Sequence, residues 1–145
     1  MQGVKILLVD DNRHFLESIE KYLMSTGCEI IIAGKAFSGT GAIRASLELM
    51  PDLILMDLAM PEMGGLEATR VIKAERNPPR IIILTMHESE EYQKAAKVVG
   101  ADGYVSKLDL YKTLMPCMND LFPDVFNEPL KAIGRERGQR TSALG

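Results

Sequence analysis

Short apolar runs alternate along this chain with longer segments whose apolar residues recur at helical spacing, and this alternation most constrains the fold. The short runs are mostly rich in Val and Ile and have the length of strands. Strands are predicted over Val4–Val9, Glu29–Ala36, Leu53–Met56, Ile81–Leu84 and Gly103–Ser106. Helices are predicted over Asn12–Thr26, Gly39–Met50, Leu66–Arg76 and Ser89–Val99. A fifth helix is predicted to begin near Asp109, whose side chain can cap it.

Five strand–helix units predict a parallel sheet, because each pair of parallel strands is joined by a crossover helix. The expected fold class is α/β, a doubly wound five-stranded parallel sheet with helices on both faces. Four of the strands run into acidic, hydroxyl or basic residues, whereas strand two offers nothing comparable beyond Lys35. The flavodoxin-like order 2-1-3-4-5 explains this difference, since it brings strands one, three, four and five together.

The polar residues at these strand ends predict one site. Asp10 and Asp11 follow strand one, Asp57 follows strand three, Thr85 follows strand four and Lys107 follows strand five. Ligands bind at this edge of open α/β sheets. Three converging carboxylates repel one another unless a cation is present, and oxygen ligands suit Mg²⁺. We expect Asp57 and one of Asp10 and Asp11 to bind the metal directly, with the other acting through water.

The remaining two side chains extend the chemistry of this site. Lys107 adds a mobile positive charge and Thr85 adds a hydroxyl donor, so a second anion can bind beside the metal. A carboxylate, a divalent cation, a lysine and a hydroxyl are together suited to phosphoryl transfer onto the carboxylate. In that reaction Asp57 supplies the attacking oxygen.

The chain resembles the receiver domain of two-component response regulators over approximately Val4 to Phe122. The matching residues are the pair Asp10-Asp11, the segment from Asp57 to Gly65, Thr85, Tyr104 and Lys107. The stretches Leu84–Glu88 and Gly100–Tyr104 are similar to the subfamily that usually carries a C-terminal helix-turn-helix.

This resemblance implies that Asp57 accepts a phosphoryl group from a sensor histidine kinase or a phosphotransfer protein. It implies that Mg²⁺ is bound by Asp11, Asp57 and the backbone carbonyl of Ala59, with Asp10 completing the acidic pair. Thr85 and Tyr104 would relay the phosphorylated state to the surface of helix four, strand five and helix five, and Lys107 would contact the phosphoryl group. A homodimer through that surface is a further expectation.

Two other motifs are matched only in part by this chain. An aspartate-nucleophile phosphatase of the haloacid dehalogenase type also uses Mg²⁺, but it carries a second Asp two residues after the nucleophile, where this chain has Ala59. The segment Gly39–Arg44 begins like a dinucleotide fingerprint, but Arg44 stands where close helix–strand packing needs a small residue.

His87 is interpreted as a solvated loop histidine, with a position bordering the phosphoryl pocket as the alternative.

Composition limits the class of protein. The net charge of -3 argues against nucleic-acid binding by the domain itself. No apolar run is long enough to cross a membrane, and the isolated Cys28 and Cys117 are typical of small core residues in a reducing compartment. The expectation is one cytoplasmic domain over residues 1–124, followed at 125–145 by a short helix and mobile tail or by a truncated linker.

Helix five carries two adjacent apolar stripes, which is more than a surface helix usually needs. The first is Leu110, Leu114, Cys117 and Leu121, and the second is Tyr111, Met115, Met118 and Phe122. Either the helix is deeply packed, or the second stripe meets another subunit or the tail through Phe126, Leu130 and Ile133. Pro116 is expected to kink or interrupt the helix.

Overall fold

The computed structural model describes residues 3–87 and 89–126. The described residues form a five-stranded parallel sheet of order β2-β1-β3-β4-β5, which confirms the predicted class and strand order. The strands are β1 (Val4–Val9), β2 (Ile30–Ala36), β3 (Leu53–Asp57), β4 (Arg80–Thr85) and β5 (Gly103–Ser106). The helices are α1 (Arg13–Ser25), α2 (Gly39–Leu49), α3 (Gly65–Lys73), α4 (Glu90–Val98) and α5 (Leu110–Leu121), with a 3₁₀ turn at Lys107–Asp109 before α5.

The sheet is covered on both faces, and each face has its own apolar core. The three central strands alternate their side chains between the two cores, so that Leu8 and Leu55 face one side while Leu7 and Ile54 face the other. Helices α1 and α5 close the first core, whereas α2, α3 and Ala96 of α4 close the second. All five residues of β3 are buried, which explains why this strand reads as an unbroken apolar run.

Helix starts follow from local capping side chains, with one correction. Asn12, Ser38 and Ser89 each accept a hydrogen bond from a backbone N–H three residues later and begin α1, α2 and α4. The predicted capping by the Asp109 side chain is wrong, because that side chain makes no capping bond. The chain enters α5 through the 3₁₀ turn, where Ser106 Oγ accepts from the Leu108 N–H at 3.1 Å.

Helix α5 is continuous through Pro116, so the predicted interruption is not observed. Pro116 lies on the exposed side of the helix, where water can satisfy the carbonyl that loses its partner. Most of both apolar stripes is packed in the molecule, since Leu110, Leu114, Met115 and Met118 are buried. Tyr111 is the exception, with 56% of its surface exposed.

The apolar core does not stop at the end of α5. One further helical turn spans residues 123–126, and within it Val125 and Phe126 join the core on the α1 and α5 side. Phe126 is fully buried, and its ring packs edge-on against Phe122 at 6.2 Å between centroids. The domain boundary at residue 124 stays a prediction, while Leu130 and Ile133 lie outside the described residues.

None of the described helices has the length and apolar character that a membrane span requires.

Substituting Phe126→Ala is expected to destabilise the domain by about 3–5 kcal/mol, because it opens a cavity where a phenyl ring is fully buried. Urea unfolding of the full chain measures this loss. Val98→Ala is the control, since Val98 is 85% exposed and its truncation should change stability by less than about 0.5 kcal/mol. Equal unfolding midpoints for the Phe126→Ala variant and the unmodified chain would contradict the packing of this turn.

Candidate functional site

The carboxyl ends of β1 and β3 bring three carboxylates together at one edge of the sheet. Asp57 is the last residue of β3 and Asp10 directly follows β1, and both are buried, with 6% and 1% of their surfaces exposed. Asp11 is exposed beside them. One carboxylate oxygen from each of the three residues lies within 4.8 Å of the others. The structure therefore assembles the acidic group that the sequence predicts.

Lys107 is the cation that contacts this group. Its Nζ donates to Asp10 Oδ2 at 2.7 Å and lies 2.9 Å from Asp57 Oδ1. The lysine follows β5, so its side chain extends past the end of β4 to reach the ends of β3 and β1. Its side chain is only 13% exposed, so the ion pairs are shielded from water. One ammonium faces three carboxylates here, which leaves an excess of negative charge.

Burial and charge repulsion both act on Asp57. Desolvation raises the pKa of its carboxyl group from its usual range to about 6; the hydrogen bond from Lys107 opposes this rise, and the charge of Asp10 adds to it. For Lys107, burial lowers the pKa of the ammonium, but its hydrogen bonds to Asp10 and Asp57 outweigh burial and raise the pKa overall. The site holds its lysine charged and makes an ionised Asp57 costly without a further cation.

The loop after Asp57 is held in place by a close backbone approach. A Cβ atom on Gly65 would lie 2.0 Å from the carbonyl oxygen of Asp57, so only glycine fits at the start of α3. The Gly65 N–H also donates to the Leu58 carbonyl at 2.9 Å. Ala59 lies in the exposed part of this loop. Glycine at position 65 thus sets how closely α3 approaches the end of β3.

Thr85 and Tyr104 are brought together through the backbone of His87. The Thr85 Oγ1 atom accepts from the His87 N–H at 2.9 Å, and the Tyr104 hydroxyl donates to the His87 carbonyl at 2.6 Å. Thr85 is buried at the end of β4, whereas Tyr104 is partly buried. The two side chains therefore bind the same residue of the loop between β4 and α4.

The His87 side chain is exposed, as interpreted from the sequence. Its ring lies 5.4 Å from the ring of Tyr92, measured between centroids. It also lines a cavity of about 560 Å³ with the loop after Asp57, including Leu58 and Ala59. His87 is therefore a solvated loop residue that shares this cavity with the loop after Asp57. Cys28 and Cys117 are free thiols, each partly buried.

Sequence reasoning missed one residue of this site. The ring centroid of Phe15, an apolar residue of α1, lies 4.3 Å from the Lys107 Nζ. The available signal was its position in the first turn of the helix that follows the acidic pair, which directs it to the same sheet edge.

A family model described as the response regulator receiver domain matches residues 6–114. The transcriptional regulatory protein YdfI of Bacillus subtilis (strain 168) is 42% identical over 115 residues, covering 79% of this chain and 53% of YdfI. A LuxR-family two-component response regulator from Aurantimonas sp. SI85-9A1 has a similar crystal structure, with a TM-score of 0.78 at 30% identity, covering 93% of this chain and 98% of that one.

The isolated receiver domain of RcsB from Salmonella enterica serovar Typhimurium, solved in the presence of phosphomimetic BeF₃⁻, is also similar. Its TM-score is 0.69 at 25% identity, and the match covers 77% of this chain and 86% of that one. The chain spans about half the length of the curated relatives that it matches.

Asp57→Asn is expected to stabilise the metal-free protein at about pH 7, by roughly 1–3 kcal/mol. Asparagine keeps an oxygen for Lys107 but has no charge to desolvate. The folded state binds the Asp57 proton more tightly than the unfolded state, so this residue's contribution to stability falls as pH rises from about 4 to about 6.

The gain from Asp57→Asn should therefore shrink as the pH is lowered towards about 4. Urea unfolding in the presence of EDTA, repeated across this pH range, measures the difference. Asp120→Asn serves as the control, because Asp120 is exposed and far from the acidic group in sequence. A loss of stability in Asp57→Asn at neutral pH would refute the argument.

Proposed function

This chain belongs to the response regulator receiver domain family of two-component signalling, and from that membership we propose that Asp57 is its phosphoryl acceptor. One observation carries the proposal: the carboxylates of Asp10, Asp11 and Asp57 lie within 4.8 Å of one another, with Lys107 in contact. The domain then acts as a signalling module whose state is set by the phosphorylation of one side chain.

In the proposed reaction a carboxylate oxygen of Asp57 attacks the phosphorus atom of a phosphohistidine or of acetyl phosphate. A new P–O bond forms to Asp57 while the bond to the leaving group breaks, and the electron pair departs with the imidazole nitrogen or the acetate oxygen. Lys107 neutralises one oxygen of the transferred group, and the Thr85 hydroxyl donates to another. The chain promotes only its own phosphorylation and the later hydrolysis of its acyl phosphate.

We assign Asp10, Asp11, Asp57 and the Ala59 carbonyl as the residues that would hold Mg²⁺. The donor set fits this ion, because it consists of oxygen atoms and carries more negative charge than Lys107 can balance. A divalent cation bound there would offset charge on the phosphoryl oxygens during transfer. Lys107 contacts two of these carboxylates, so its ammonium has to give up part of those contacts when the ion binds.

We propose that Thr85 and Tyr104 carry the phosphorylated state away from the site. Both bind the backbone of His87, so a shift of the Thr85 hydroxyl towards a phosphoryl oxygen releases the His87 N–H and loosens the loop that Tyr104 also holds. The receiving surface is that of α4, β5 and α5. It offers exposed apolar contacts, since Val98 is 85% and Tyr92 is 41% exposed.

The proposed partners follow from the family. A sensor histidine kinase or a phosphotransfer protein in the cytoplasm would donate the phosphoryl group, and the surface of α4, β5 and α5 would bind a second copy or a downstream protein. Since the relatives are about twice as long, control of a DNA-binding domain is a proposal for the whole protein. The phosphatase alternative is disfavoured, because the relatives are response regulators and Ala59 replaces the second Asp.

Incubation with acetyl phosphate and Mg²⁺ is expected to add one phosphoryl group to the chain, because Asp57 ends the central strand β3 as a buried carboxylate in contact with Lys107. Intact-protein mass spectrometry measures the addition, and Asp57→Asn should abolish it. Asp52→Asn is the matched control, since it removes an acid outside the acidic group. Labelling that persists in Asp57→Asn, or that proceeds equally in EDTA, would refute the proposal.

Mg²⁺ affinity is expected to fall about tenfold or more in Asp11→Asn, because the site loses one of its charged ligands. Asp11 is exposed, so the fold should tolerate this change. Isothermal titration of the metal into each protein gives the two dissociation constants. The same affinity in both proteins would remove Asp11 from the ligand set.

A further inference from the structure

The position of the Lys107 ammonium is not set by its own backbone. The side chain begins in a three-residue 3₁₀ turn and has a long flexible stem, which has to cross the end of β4. Among the residues that the structure describes, the ammonium contacts Asp10, Asp57 and the ring of Phe15. Two of these three neighbours are carboxylates that we assign to the metal.

The Phe15 ring is a fixed platform beside the lysine. Its centroid lies 4.3 Å from Lys107 Nζ, which is inside the reach of a cation–π interaction. Phe15 is partly buried and packs against the core of the α1 and α5 side. The face of the ring can therefore attract the ammonium without moving.

Hydrogen bonds link the backbone of Phe15 to the acidic site. The Phe15 N–H donates to Asn12 Oδ1 at 3.0 Å, and the Asn12 N–H donates to Asp10 Oδ1 at 2.9 Å. Asp10 Oδ2 accepts from Lys107 at 2.7 Å, and the lysine lies over the Phe15 ring. The start of α1 is thus bonded to the Asp10 carboxylate, and the Phe15 ring lies beside the ammonium that the same carboxylate binds.

We propose that Phe15 is a positioning residue for the phosphorylation of Asp57, holding the Lys107 ammonium beside the acceptor when a divalent cation engages the carboxylates. This inference rests on the proposed function. A bound divalent cation would compete with the lysine for the oxygens of Asp10 and Asp57, whereas the Phe15 ring is no ligand for Mg²⁺ and would keep its attraction for the ammonium. The ammonium then stays near the oxygens of the incoming phosphoryl group.

The chain supplies a matched control for this residue. Phe37 is also partly buried and packs against the same core, but its ring lies 3.7 Å from the guanidinium carbon of Arg13. Replacing Phe37 with leucine removes a similar aromatic contact with a different cation. A loss that comes only from weaker packing should therefore affect both phenylalanines alike.

The test compares phosphorylation rates with acetyl phosphate at saturating Mg²⁺. Phe15→Leu is expected to slow labelling roughly five- to thirty-fold, while Phe37→Leu should change it less than about twofold. Urea unfolding of both variants shows that each is folded at the assay temperature. An unchanged rate in Phe15→Leu, or equal slowing in Phe37→Leu, would overturn the proposal.

Two further measurements separate positioning from general structure. In a Lys107→Ala background, Phe15→Leu should cause no additional slowing, because the ammonium that the ring holds is gone; the same fold-loss in both backgrounds would overturn the proposal. Pentafluorophenylalanine at position 15 keeps the ring but reverses its charge distribution, so it should reproduce the loss even if the leucine variant fails to fold. Labelling at the unmodified rate with the pentafluorophenyl ring would overturn the proposal.

Absence of Mg²⁺-dependent labelling in the unmodified chain would instead refute the proposed function.

Discussion

At the carboxyl edge of the sheet, negative charges outnumber positive charges, and this imbalance decides what the surrounding residues have to stabilise. Three carboxylates converge where β1 and β3 end, and one lysine from beyond β5 faces them. Such an arrangement is costly, because buried charges of like sign lose hydration and repel each other. The cores on both faces of the sheet supply the stability that keeps the carboxylates in place. The fold thus maintains a site that is incomplete without a further positive charge.

A short loop separates the end of β4 from the start of α4. Thr85 and Tyr104 come from neighbouring strands, yet both bind the His87 backbone in the loop before α4. A hydroxyl can accept one hydrogen bond and donate another at the same time, so the bond between Thr85 and His87 breaks only if the Thr85 side chain moves. Since α4 begins three residues after His87, the proposed relay needs no large movement of this loop.

Much of this arrangement was predictable because it depends on patterns of short range. β1 and β5 have the predicted bounds, since each is an apolar run with clear limits, and the strand order followed from which strands end in polar residues. The acidic group was predictable for the same reason. The capping of α5 was not, because the chain enters this helix through a 3₁₀ turn that Ser106 caps, and the Asp109 side chain makes no capping bond. Contacts of Phe15 and Phe126 depend on tertiary packing, which spacing along one helix does not report.

The burial of Phe126 has a consequence for any polypeptide joined after this domain. Helix α5 runs back from the sheet edge that holds the acidic site, and the turn at 123–126 fixes the chain against the α1 and α5 core. The chain is therefore attached to the core up to residue 126, five residues beyond the end of α5. Since the reach of a flexible segment grows only with the square root of its length, this anchor limits where an attached module can lie. Any segment joined there would depart from the end of the domain opposite the acidic group.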